Sequence, residues 1–180
     1  MRPKWLIRCA VAAMLSVAAL TLWLVTPALL SYLFERQHSV RHTWEDGTLT
    51  EATITERSYF GRATDFWGTD HWRPERVITN VEIRVDGRLM RLPASCAERL
   101  AELNPTTIDL GTVGSGIFTL DFDGGDAGGS YHVMVVFGAT GLSSFRVESG
   151  EFPESSFETT EFDSQGRQLN RTGRKSVPFN

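Results

Sequence analysis

The chain opens on an unbroken apolar stretch and then changes rhythm. Residues 9–34 carry no charged side chain and are rich in Leu, Val and Ala, a run of 26 positions. As a helix they would extend about 39 Å, enough to cross a hydrocarbon core of roughly 30 Å with some tilt. Trp5 and Tyr32 stand at the two margins, where amphipathic rings favour the headgroup level. The pattern predicts one transmembrane helix within residues 1–34, acting as an uncleaved signal-anchor. Thr26-Pro27-Ala28 offers a small-residue cleavage site and so the alternative of a removed signal peptide. Against it, the apolar run continues through Leu29, Leu30, Leu33 and Phe34, beyond the usual length of a signal h-region.

Past residue 34 the apolar positions recur with a period of two. The clearest case is 77–85, where every odd position except Thr79 is aliphatic, followed by Asp86-Gly87, a pair that tolerates positive φ in a two-residue type I′ turn. Turn and pattern fix one register: Val85 opposite Arg88, Ile83 opposite Met90 and Val81 opposite Leu92, with Glu82 meeting Arg91 on the other face. Thr-rich 48–57 predicts a half-buried strand. Segments 108–113, 117–122, 131–137 and 142–147, separated by glycine-rich turns, predict four more. Acidic residues 148–163 suit an edge strand or two with solvated charges. Ser95 and Glu98 fit a capping box, and Ala97, Leu100, Ala101 and Leu103 give a short apolar stripe, so one helix is expected over about 95–103.

The expectation is a mainly β protein: a transmembrane helix followed by a small antiparallel β-sandwich or open barrel with one short helix. Residues 35–47 read as a polar juxtamembrane linker, 48–165 as the strand-rich domain and 166–180 as a basic, frayed tail.

Charge sets the topology. Arg2, Lys4 and Arg8 precede the apolar segment and all 22 acidic residues follow it, leaving 15 basic residues and a net −7 for the remainder. A positive N-terminal flank predicts a cytoplasmic N-terminus, with the soluble domain on the periplasmic or extracellular side of the inner (plasma) membrane. An acidic domain is a poor match for nucleic acid, whose phosphates need a basic surface. Cys9 lies in the apolar segment and Cys96 in the domain, so no disulfide can form within the domain and burial must hold it.

Candidate chemistry is sparse. The segment 59–74 concentrates aromatic residues without any strand or helix period. Its Tyr59, Phe60, Phe66, Trp67, His71, Trp72 and Arg73 are residue types that anchor interfaces, and they are the candidate binding residues. The competing reading folds these rings back over an open end of the sheet as a plug. Cys96, at the first turn of its helix, is a candidate thiol nucleophile with His71 or His132 as base, set against a buried structural role. Asp121, Asp123 and Asp126 are spaced to share a calcium ion, set against a flexible glycine loop. No cofactor motif is present. The function expected is a membrane-anchored, non-catalytic binding or accessory domain with an envelope protein partner, immunity-like in one version. The alternatives are a thiol or hydrolytic enzyme built on Cys96 and a calcium-stabilised module.

Overall fold

The computed structural model describes residues 35–61, 66–69, 74–125, 129–154 and 156–174. The expected transmembrane helix lies outside them. Among the described residues, ten strands form two antiparallel sheets. The four-stranded sheet has the order β1 (Glu35–Thr43), β2 (Leu49–Ser58), β3 (Arg76–Val85), β4 (Arg88–Arg91). The six-stranded sheet is a meander of β5 (Asp109–Gly114), β6 (Ile117–Gly124), β7 (Tyr131–Gly138), β8 (Gly141–Ser149), β9 (Phe157–Phe162) and β10 (Gln168–Arg174).

The hairpin β3–β4 forms in the register its pattern dictates, with Val85 opposite Arg88, Ile83 opposite Met90 and Glu82 opposite Arg91. The main-chain N–H of Leu92 extends the pairing by donating to Val81. Asp86 (φ 49°) and Gly87 (φ 82°) supply the positive angles of the turn. In β7 the odd positions Tyr131, Val133, Val135 and Phe137 are buried and the even ones half-exposed. Strands of this kind place one face of each sheet against the other. Ile54, Val81 and Ile83 of the first sheet share a core with Phe118, Leu120, Phe122, Val135 and Phe145 of the second. The arrangement is sandwich-like, and neither sheet closes into a barrel.

Three segments depart from expectation. The supposed linker 35–47 is strand β1 and its turn. An edge strand can be polar on both faces, and only His38 and Val40 of β1 are half-buried. The supposed tail contributes β10, whose pairing with β9 runs from Gln168 opposite Phe162 to Arg174 opposite Phe157; residues 175–180 lie outside the described residues. The expected helix 95–103 shrinks to α1 (Ala94–Ala97), capped by Pro93 with no side-chain cap bond. Because β4 is only four residues long, the first half of β3 is left without a neighbour on that side. The chain after α1 takes the vacancy: Ile78 donates to the carbonyl of Leu100, Glu102 donates to Arg76, and Val77 bridges Ala101. Satisfying those buried main-chain groups outweighs the propensity of a two-turn helix, which is marginal alone.

The strands define two ends of the molecule. The tight turns after β1, β3, β5, β7 and β9 cluster at one, and the longer connections 59–75, 92–108, 125–130 and 150–156 at the other.

Candidate functional site

At the loop end, Phe66 and Trp67 of the aromatic segment turn inward. Trp67 is 5% exposed, and its main chain is clamped on both sides, its N–H donating to Arg99 (2.8 Å) and its carbonyl accepting from Ala101 (2.9 Å). Phe66 is buried against Val77 and Ala101, with the half-buried Tyr59 ring edge-on at 5.0 Å. Gly68 follows with φ 97°, and a Cβ there would strike the Ala101 carbonyl and the Tyr131 ring. Phe66 and Trp67 thus pack as core residues, the arrangement that the plug reading describes for these two rings. Phe60 is the opposite, 73% exposed. His71, Trp72 and Arg73 lie outside the described residues.

Beneath this cover is a polar interior. The alternation of β2 that buries Thr50, Ala52 and Ile54 carries on to Glu56, opposite Ile78, while an extra residue in β3, Thr79, makes a bulge there. Glu56 is thus buried, and its carboxylate meets His38 Nε2 (3.1 Å) and Arg76 Nε (3.7 Å). Tyr131 is 1% exposed and packs over Gly124, where a Cβ would overlap its ring. Its hydroxyl has no hydrogen-bond partner among the described residues. Burial, then the nearby carboxylates of Glu56, Glu102 and Asp123, hold the phenol well above its ordinary range.

The other candidates are also placed. Cys96 is 3% exposed, and its thiol points toward the Thr160 hydroxyl at 4.0 Å. Burial raises the thiol, the reverse of what a nucleophile needs. Asp121 and Asp123 on the outer face of β6 both turn to His132 of β7, at 3.6 Å from Nε2 and 2.7 Å from Nδ1. That is a charge-assisted cross-strand contact. Asp126 and His71 lie outside the described residues.

An opening wide enough to admit a ligand lies at the turn end, and the sequence reading did not single it out. A groove of about 620 Å³ runs between residues 42–46 on one side and Thr112, Phe118 and the Gly114-Ser115-Gly116 turn on the other. Trp44 forms its wall, with its indole N–H donating to the buried Thr50 hydroxyl at 2.9 Å. The rings continue in both directions: His42 lies 4.2 Å from Trp44, Phe118 5.2 Å beyond, and Phe137 5.9 Å from Phe118. Glu45 and Asp46 stand at the rim, and neither Lys nor Arg lines the groove. The nearby Arg41 is turned away to Glu51 at 3.3 Å. Trp44 and Phe118 are 74 positions apart, so only the face-to-face packing of the sheets brings them together. A lone Trp just before an acidic turn was the available signal.

Compared with known protein families, curated proteins and solved structures, the chain matches none.

Proposed function

We propose that the chain is a non-catalytic binding domain, tethered to the membrane by its apolar segment 9–34 and engaging a protein partner in the envelope, as an immunity-type protein does. The observation that supports it is the open aromatic groove beside Trp44, a concave surface in which rings are backed by a packed core and rimmed by carboxylates. Rigidly held aromatic surface binds at small entropic cost. The exposed Phe60 gives the opposite end a smaller apolar feature, part of the binding surface first read in loop 59–74. The thiol reading is disfavoured by the inward, protonated Cys96, and the calcium reading by the engagement of Asp121 and Asp123 with His132.

The test is site-specific photo-cross-linking of the full chain in its native membrane, with the reactive residue at position 115 or at position 60. A discrete adduct from position 115 and none from position 60 is expected. Adducts from position 60 alone would move the binding site to the loop end, and none from either would end the binding-domain reading.

A further inference from the structure

Resting on the binding-domain reading, we infer that the groove beside Trp44 takes a basic, extended polypeptide segment of the partner. Three features of the turn end converge on that occupant.

The first is charge. Among the groove-lining residues Glu45 and Asp46 are the acidic side chains, and no Lys or Arg is present to oppose a cation. The chain beyond the apolar segment is acidic as a whole, so the field around the rim attracts the same sign. The second is shape and surface. The groove is walled by Trp44 and Phe118, and the β5–β6 tip beside it exposes Val113 (64%) and Ile117 (44%). Carboxylates next to rings and aliphatic side chains suit Lys or Arg, whose stems lie on apolar surface while the charged head reaches the rim. A small inorganic cation would make no use of that apolar surface. The third is the backbone. The groove lies where β1 and β5 end, and each is the outermost strand of its sheet. Both are largely exposed, so their outward main-chain N–H and C=O groups are open to an added strand. An extended peptide can use those groups and the side-chain groove together.

The experiment takes the full chain in phosphatidylcholine nanodiscs and measures binding of a fluorescent, capped peptide of alternating lysine and valine. The same peptide with glutamate in place of lysine is the control. Binding of the lysine peptide, weakened by added salt, is expected, with no binding of the glutamate peptide. Glu45→Gln combined with Asp46→Asn should lower affinity about three- to tenfold, the range for two exposed charge pairs. The asparagine keeps an acceptor for the turn N–H of Thr48, so the fold is preserved, and Glu45→Gln alone gives a second reading should it not be. Glu161→Gln, on an exposed position of β9, should leave affinity unchanged.

Equal binding of both peptides, no binding of the lysine peptide, or unchanged affinity in the Glu45 and Asp46 variants would each overturn the inference. If position 115 still yields its cross-linked adduct while the lysine peptide fails, the groove binds a partner that is not basic, and only this inference falls. If both fail and position 60 yields no adduct either, the binding-domain reading falls with it.

Discussion

The two ends of the molecule spend their aromatic residues in opposite ways. At the loop end, Phe66 and Trp67 face inward and the chain closes over them, with Gly68 leaving room for Tyr131. At the turn end, Trp44 is held from behind by Thr50 and Phe118 and keeps one side in an open groove. Two rings adjacent along the chain, Phe66 and Trp67, thus belong to a structural closure, whereas rings assembled from distant strands line an accessible groove. Local clustering reports what a loop must cover. Accessibility depends on which strands end together.

The contrast can be broken most directly by truncating the two tryptophans. Trp67→Ala should cost about 3–5 kcal/mol of folding stability, the range for a large buried side chain. Trp44→Ala should cost about 1–2 kcal/mol, since that ring is only half-buried. Urea unfolding of each variant measures both, and equal losses would show that the two ends are packed alike.

A smaller contrast concerns the carboxylates. Glu56→Gln removes the charge that His38 and Arg76 meet inside the loop end, and a loss on the order of 2–3 kcal/mol is expected for a hydrogen-bonded buried charge. Glu45→Gln at the groove rim should stay within about 0.5 kcal/mol. Thermal or chemical denaturation that ranked them in the reverse order would remove the distinction between an interior and a rim charge.

The smallest effect is in acid. Asp46 accepts from the backbone N–H of Thr48, and Asp163 from that of Arg167, and these bonds hold both carboxyls below their ordinary value of 3.8. A folded value below the unfolded one means that the stabilisation is complete above the ordinary carboxylate range and is lost as pH falls through the lowered value. Both residues belong to turn-end hairpins, so acid should loosen that end slightly. Carboxyl titration by NMR should give midpoints below those of Asp in unstructured peptides. Midpoints at the ordinary value would show that the two turns do not hold their carboxylates.

The core strands were legible because their pattern and their turns agree. In β3–β4 the aliphatic alternation and Asp86-Gly87 point to one register, and β6 to β8 alternate against glycine turns in the same way. The outer strands were not legible. β1 and β10 lie at sheet edges with both faces largely polar, so period two carries no hydrophobic contrast and they read as linker and tail. The helix failed for another reason: Leu100 and Ala101 have a helical spacing, but their backbone is claimed by the vacant edge of β3. The bulge at Thr79 of β3 leaves no trace in composition. The groove was illegible because its two walls come from different sheets.

β1 has a mechanical consequence. It begins at the loop end with Glu35 and delivers residues 42–46 to the groove nine residues later, a path of about 30 Å at the rise of a strand. The loop end and the groove rim are thus the two ends of one strand. A ligand held between residues 42–46 and the β5–β6 turn would grip both sheets at once. A pull on it would be shared between the β1–β2 ladder and the core that joins the sheets, so neither would be loaded alone.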